Sequence, residues 1–412
     1  MALLRVFLCT ASTVALLAQL VAAAAPSPAY ALFYEDNHVE SQFFFEGDSH
    51  FEFGLQLGKR FAPQIQQRLQ RNAKLQTLLL PFHTTQEGKT LYTQYLDTHV
   101  ATFPDYVDEL RGIAKGSGVP FETIFMMNLI EEFEDSIPAS FQPKAPSAAR
   151  QHVLRCSDIV LTAPHLRAVA HNEDGSAEDV NRTAIITAKI GGNPKFVAYT
   201  YLGDLPSGAF GFNENGVAFT LNFVQPADTF VGGLGRGFVS RDLLYAANAT
   251  DAIARITRPK QATGHNFQLM DVNSQRVWNI EVASFERHVI YEYVPQNGTS
   301  PSNTNTGEAN VEAFFHANQY QRLDIVQPPE LPPPANVREA LAILGDQEDR
   351  SWPVFHDALS HERGELSGWT MTTVVFDVLE GRAYSFRRNP KLMSVKFIWD
   401  LKTLKVTPDS AE

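Results

Sequence analysis

Cysteine is nearly absent from this chain of 412 residues, which contains only Cys9 and Cys156. Cys9 lies near the start, where Arg5 precedes an apolar stretch that ends in small residues. This layout is typical of a secretory signal peptide, and we expect residues 1–25 to be removed. The mature chain then keeps Cys156 alone. A single cysteine excludes an intrachain disulfide framework and a multi-cysteine zinc site, so neither a metal nor another cofactor is expected.

Long basic runs are also lacking. The chain has 34 Lys and Arg against 46 Asp and Glu, a formal net charge of -12. Because a phosphate backbone would be repelled by this charge, no nucleic-acid partner is expected. Apolar residues are not scarce, since 44% of the chain is hydrophobic. A large buried core is therefore expected, and a disordered or fibrous protein is excluded.

Several features predict passage through the secretory pathway. Sequons for N-glycosylation occur at Asn181, Asn248 and Asn297. The C-terminus lacks a retention tetrapeptide, so a secreted, lysosomal or vacuolar protein is expected. The apolar start could instead stay as a membrane anchor. If the signal peptide is cleaved, no stable membrane contact remains.

The chain changes character at Cys156. Before it, Phe53, Leu57, Phe61, Ile65 and Leu69 recur at four-residue steps and predict a helical stripe, which Pro63 kinks or divides. Residues 137–155 lack periodicity and are rich in Pro, Ala and Ser, as in an exposed connector. After Cys156, short β-like runs alternate with turn residues, and one amphipathic helix is predicted within residues 238–256. We expect a mainly helical segment (26–155) and a β-rich segment (156–412) to form one α+β domain.

The position of Cys156 directly after this connector suggests an N-terminal nucleophile. When a nucleophile is the first residue of a chain, its own α-amino group, with a pKa of roughly 7.7 to 8.0, can serve as base. Cys156 would attack the carbonyl of Arg155 and release itself as a new N-terminus. An inert, buried cysteine is the alternative.

Such a site needs donors for the oxyanion on the substrate carbonyl, and neutral amides suit that role. Asn222 and Asn318 are candidates, although an Asn often caps a turn or ends a strand instead. Asp174 could orient the new ammonium group or accept a hydrogen bond from Ser157 or Cys156, or simply form a turn.

The ordered motifs FFEGDSHFEFGLQLGKRFAPQI, RCSDIVL, AHNED, GFNENGVAFTLNFV and HANQY resemble the acyl-CoA:6-aminopenicillanate acyltransferase family. Its members are self-processing cysteine enzymes of the N-terminal-nucleophile hydrolase superfamily. The resemblance implies a four-layer αββα sandwich of two antiparallel sheets between helical layers. It also implies autocleavage between Arg155 and Cys156, with Cys156 as nucleophile and Asp174 as catalytic aspartate. Asn318 and Asn222 would be oxyanion donors.

Two departures from the penicillin enzymes stand out. Arg155 replaces a glycine, and Ser367 or Gly368 falls where those enzymes carry an arginine before a later strand. The motifs look more like the insect β-alanyl-amine hydrolases in this family. The acid ceramidase and N-acylethanolamine amidase group also resembles the chain near Cys156, but a lipid amide would need a wide apolar mouth.

The sequence thus predicts an amidohydrolase that cleaves linear N-acyl or β-alanyl amines through a thioester on Cys156. Its partners would be a small-molecule amide and its own cleaved N-terminal segment. Three alternatives stay open. The first is an acyltransferase that moves an acyl group from a thioester or amide to an amine. The second is a secreted binding module of the same fold without catalysis. The third is a metal hydrolase, although the His pairs lack the H-E-x-x-H arrangement.

Overall fold

The computed structural model describes residues 41–142, 156–163, 165–206, 208–224, 228–293, 334, 336–348, 353–362, 368–386 and 388–408. Its helices are α1 (His50–Arg60), α2 (Ala62–Arg71), α3 (Leu80–His83), α4 (Gln86–Thr102), α5 (Pro104–Ser117), α6 (Phe121–Met127), α7 (Ile130–Ser136), α8 (Arg236–Leu243), α9 (Ala249–Ile256), α10 (Val337–Leu344) and α11 (Ala358–Glu362). A π-helical turn, Leu75–Leu79, leads into α3.

The strands are β1 (Ser41–Gly47), β2 (Ser157–Ala163), β3 (Leu166–Ser176), β4 (Thr183–Ile190), β5 (Phe196–Tyr201), β6 (Phe210–Asn213), β7 (Val217–Val224), β8 (Gly264–Asp271), β9 (Arg276–Ala283), β10 (Arg287–Glu292), β11 (Gly368–Asp377), β12 (Arg382–Phe386), β13 (Val395–Asp400) and β14 (Val406–Pro408). They form an eight-stranded sheet, β1-β4-β5-β6-β7-β8-β9-β10, and a six-stranded sheet, β14-β13-β12-β11-β3-β2.

Three apolar clusters define four layers. The first buries α1 to α9 against one face of the eight-stranded sheet. The second lies between the two sheets, with Phe210, Phe376 and Trp399 among its members. The third covers the outer face of the six-stranded sheet with α10, through Ala340 and Leu341. The predicted α+β class and αββα sandwich are confirmed.

One strand pair departs from the prediction of two antiparallel sheets. β1 runs parallel to β4, with Ser41 opposite Ala184 and Gly47 opposite Ile190. The remaining pairs among the described strands are antiparallel. Parallel neighbours need a long connection. Here the chain between β1 and β4 includes all helices from α1 to α7. A strand that precedes Cys156 is therefore built into a sheet whose other strands follow it.

The predicted helical stripe is confirmed, with Phe53, Leu57, Phe61, Ile65 and Leu69 all buried. The helix divides at Phe61, and Pro63 stands in the first turn of α2, where its missing N–H is harmless.

The single helix predicted within residues 238–256 was wrong, because Asn248 caps a second helix. Its side chain accepts a hydrogen bond from the backbone N–H of Asp251 at 3.0 Å, which starts α9 after the end of α8.

Of the predicted glycosylation sites, Asn181 and Asn248 are exposed. Asn297, Asn318, Arg155 and the predicted signal peptide lie outside the described residues. Within the described part of the chain, none of the helices combines the length and apolar character needed to cross a bilayer.

Helices α1 and α5 cross at glycines, and this contact is sensitive to a single methyl group. A Cβ atom added at Gly54 would lie 2.0 Å from the backbone oxygen of Glu109, and one at Gly112 would lie 2.2 Å from that of Phe51. We expect Gly54→Ala to destabilise the fold by about 1–3 kcal/mol, because backbone must move apart. Urea unfolding checks this, with Gly192→Ala as control, since that position has open space. A Gly54→Ala protein as stable as the control would contradict the close packing.

Candidate active site around Cys156

The pairing of β2 with β3 brings four chemically active side chains onto one face. Asp158 lies opposite His171 in the antiparallel register, and continuing the register by one pair places Cys156 opposite Glu173. Since side chains alternate along a strand, all four point to the same side of the sheet.

The thiol of Cys156 is buried beside a carboxylate. Its Sγ donates to Glu173 Oε2 at 3.2 Å and lies 3.9 Å from the backbone oxygen of Asp174. Burial raises the pKa of the Cys156 thiol well above its usual value, and the charges of Glu173 and Asp174 add to the shift. The thiol is therefore protonated at neutral pH.

His171 joins two carboxylates. Its Nε2 lies 3.2 Å from Glu173 Oε2, and its Nδ1 lies 2.7 Å from Asp158 Oδ1. Burial alone would lower the pKa of His171, but the charge of Asp158 and the hydrogen bonds to Asp158 and Glu173 outweigh it and raise this pKa to about 10. The imidazole is a buried cation that donates from both nitrogens.

Cys156, Glu173, His171 and Asp158 form a hydrogen-bonded row. Its Asp158 end is anchored to the eight-stranded sheet. Asp158 Oδ2 accepts hydrogen bonds from Thr220 Oγ1 at 3.2 Å and from Asn222 Nδ2 on β7. The sequence predicted Asn222 as an oxyanion donor, and the structure places its amide on Asp158. A carboxamide nitrogen carries two hydrogens, so one N–H of Asn222 is engaged before any substrate binds.

Asp174 is the predicted catalytic aspartate, and its backbone oxygen lies 3.9 Å from the Cys156 sulfur. Its Oδ1 accepts a hydrogen bond from Thr370 Oγ1 at 2.6 Å. The register between β3 and β11 shifts between Thr370 and Thr372, which pair with Asp174 and Glu173. Such bulges re-aim side chains and are frequent beside active sites. Its catalytic role stays a prediction.

Tyr201 connects the thiol cluster to the helical layer. Its hydroxyl donates to Glu173 Oε1 at 2.6 Å, and the guanidinium of Arg68 lies over its ring at 5.2 Å. Arg68 also forms ion pairs with Asp179 at 2.8 Å and Asp204 at 2.7 Å. The segment before Cys156 thus reaches the site through α2.

A second ion pair lies near the thiol, between Arg236 Nη2 and Glu131 Oε2 at 3.1 Å. Burial would lower the pKa of Arg236, but the charges of Glu131 and Glu132 outweigh it and raise this pKa. Both partners are partly exposed, at 23% and 22%. We call the five side chains of these two ion-pair groups the charged border: Arg68, Glu131, Asp179, Asp204 and Arg236.

The same cluster offers the ligand atoms of a metal site. Sγ of Cys156, a ring nitrogen of His171 and a carboxylate oxygen of Glu173 lie within 4.8 Å of one another. A metal would have to displace the protons of the thiol and of a strongly basic imidazole, because it binds their deprotonated forms. An ion bound there would also occupy the sulfur that the predicted chemistry needs.

We expect His171 to make stability depend on pH. Its folded pKa of about 10 exceeds the usual value near 6.5, so its contribution is complete below about pH 6.5 and is lost as the pH rises towards 10. Urea unfolding of wild type and His171→Gln should show the largest difference at pH 6 and a smaller one at pH 10. The exposed His288 provides the control, His288→Gln. A difference that grows with pH would contradict the buried cation.

Sequence reasoning missed Glu173, His171, Asp158 and Tyr201. His171 and Glu173 are two residues apart in a strand, which is the spacing that puts side chains on one face. The motif AHNED contains this spacing. The position of His171 and Glu173 beside Cys156 follows only from the register between β2 and β3.

Comparison with known proteins supports the resemblance. The family model of acyl-coenzyme A:6-aminopenicillanic acid acyl-transferase matches residues 162–332, a range that begins after Cys156. The chain is 26% identical over 295 residues to beta-alanyl-dopamine/carcinine hydrolase of Drosophila melanogaster, covering 67% of this chain and 71% of that protein. The predicted resemblance to this family is confirmed.

A solved structure, the Caenorhabditis elegans ortholog of N-acylethanolamine-hydrolyzing acid amidase, is 12% identical. It matches 54% of this chain and 92% of its own, with a TM-score of 0.36.

Proposed function

Because this chain resembles the acyl-coenzyme A:6-aminopenicillanic acid acyl-transferase family, we propose that it is a self-processing hydrolase of linear amides with Cys156 as nucleophile. The observation that carries the proposal is the contact of Cys156 Sγ with Glu173 Oε2 at 3.2 Å. An inert cysteine packs among apolar atoms. Here the thiol ends a row of ionisable groups, which favours the reactive alternative.

The proposed reaction has two acyl-transfer steps. The α-amino group of Cys156 takes the thiol proton as the sulfur adds to the substrate carbonyl, amide donors stabilise the oxyanion, and the leaving amine then takes that proton from the α-amino group. Water then hydrolyses the thioester. Asn222 and Asn318 are the proposed donors, and Asp174 the proposed partner of the α-amino group. The α-amino group becomes available only when the bond between Arg155 and Cys156 is cut.

We propose a β-alanyl or similar small polar amide as substrate, as the name of the Drosophila relative suggests. The charged border supports this choice. Two of its carboxylates are partly exposed, Asp204 at 20% and Glu131 at 22%, and each is paired with a guanidinium group. A substrate ammonium group is stabilised by carboxylates, whereas a long acyl chain would have to desolvate these charges. Lipid amides are therefore disfavoured.

The proposal is tested on protein purified from a secretory host, with β-alanyl-dopamine, carcinine and an N-acylethanolamine as substrates. We expect β-alanine release to exceed fatty-acid release by at least about 100-fold. Predominant fatty-acid release would overturn the substrate assignment. Acyl transfer from acyl-CoA to an added amine without hydrolysis would favour the acyltransferase instead. Loss of mass after endoglycosidase treatment of the same sample tests the proposed secretory route.

A further inference from the structure

The proposed self-processing needs a base that the uncut chain does not yet have. The α-amino group of Cys156 is still part of a peptide bond before cleavage, and an amide nitrogen is not a base at neutral pH. Burial also keeps the thiol protonated, since its pKa is raised. A different group must accept the thiol proton in the first reaction.

We propose that Glu173 is this base: its carboxylate removes the Cys156 thiol proton during self-cleavage. The inference rests on the proposed self-processing and adds a catalytic residue to it. Oε2 of Glu173 already accepts the thiol hydrogen bond at 3.2 Å. Geometry within hydrogen-bond reach is the first requirement for a general base.

The contacts around Glu173 fix its carboxylate in the accepting role. Oε1 accepts from Tyr201 at 2.6 Å, and Oε2 accepts from His171 as well as from Cys156. Three donors converge on one carboxylate that is only 3% exposed. In all three contacts the carboxylate oxygens are the acceptors, which is the role that a base requires.

His171 and Asp158 act as positioning residues. The His171 ring is held between Asp158 Oδ1 at 2.7 Å and Glu173 Oε2 at 3.2 Å. Asp158 is itself held by two donors from β7. Both ring nitrogens of His171 are already engaged with carboxylate oxygens. The thiol proton is therefore left to Glu173.

The step balances in protons and electrons. The thiol proton moves to Glu173 Oε2 while Sγ forms a bond with the carbonyl carbon of Arg155. When the tetrahedral adduct collapses, the bond from that carbon to the nitrogen of Cys156 breaks, and the nitrogen takes the proton back from Glu173. Water hydrolyses the thioester to a carboxylate on Arg155. The free α-amino group then replaces Glu173 as the base for turnover.

The test follows self-cleavage of the full-length chain by intact mass after synthesis in a cell-free system. We expect Glu173→Gln to slow cleavage by about 100-fold or more. Its amide keeps an oxygen that can accept from Tyr201, so the local packing is preserved. In Glu173→Ala, added formate should restore cleavage at least tenfold, whereas chloride at equal ionic strength should not. Such rescue reports a missing carboxylate and would not follow from a structural role.

The matched control is Glu178→Ala, which removes an exposed glutamate and should cleave at the wild-type rate. If wild type splits while Cys156→Ala does not, and Glu173→Gln cleaves within about threefold of wild type, the inference falls and the proposed function stands. If wild type stays whole, self-processing and this inference fall together. Circular dichroism identifies a variant that fails to fold, and the remaining variant then decides.

Discussion

Replacing Cys156 by alanine is expected to abolish amide hydrolysis and to leave the chain uncut. The Sγ atom is the proposed attacking atom in both reactions, so no other side chain of the cluster can form the thioester. Loss of a nucleophile from a cooperating catalytic group lowers kcat by on the order of 10⁴-fold or more. The fold should be preserved, because Cys156 is a small side chain at the start of a strand.

The measurement is β-alanine release from the preferred substrate together with intact mass. Cys156→Ser provides the informative companion, because it keeps a weak nucleophile of nearly the same size and should cleave slowly rather than not at all. Hydrolysis by Cys156→Ala at a rate near that of wild type would move the nucleophile to another residue.

The largest expected loss of stability follows from Glu109→Ala. Glu109 on α5 is fully buried, with Oε2 3.0 Å from His50 Nδ1 and 3.1 Å from Arg241 Nη2 on α8. The Arg241 guanidinium also lies over the rings of Phe196 and Tyr245, at 4.7 and 4.6 Å. Removing one partner leaves a buried charge uncompensated, which costs about 3–5 kcal/mol.

Urea unfolding checks this expectation, with the exposed Glu122 on α6 as the site of a control, Glu122→Ala. A loss below about 1 kcal/mol would contradict the buried ion pair. The change also bears on the cleaved protein, because Glu109 precedes the proposed cut and Arg241 follows it. We expect the two fragments of wild type to stay associated and those of Glu109→Ala to separate more readily on a sizing column.

Periodicity predicted much of this fold. The four-residue steps from Phe53 to Leu69 predicted buried helices, and the alternation after Cys156 predicted strands, because each pattern follows from the repeat of one element. The parallel pairing of β1 with β4 has no such local signal. It depends on the arrangement of the helices between them, which individual stretches of sequence do not encode.

The same limit applies to the site. Cys156 could be identified because it stands alone after a connector, and that depends on the sequence only. Its contact with Glu173 depends on which residues of two strands face each other, and a shift by one residue would have presented Asn172 or Asp174 instead. The sequence favoured Asp174 because the resemblance placed the family's catalytic aspartate there, and no local pattern pointed to its neighbour Glu173. Asn318 and Arg155 lie outside the described residues, so their roles, like the proposed division into segments 26–155 and 156–412, stay predictions.

The most direct test of the account is the N-terminal sequence of the wild-type protein after purification from a secretory host. We predict two fragments, one of which begins Cys156, Ser157, Asp158. That result would establish that the thiol becomes an N-terminal nucleophile and that the α-amino base exists. A single uncut chain, still whole after acidification, would contradict self-processing and leave a binding module of this fold as the better interpretation.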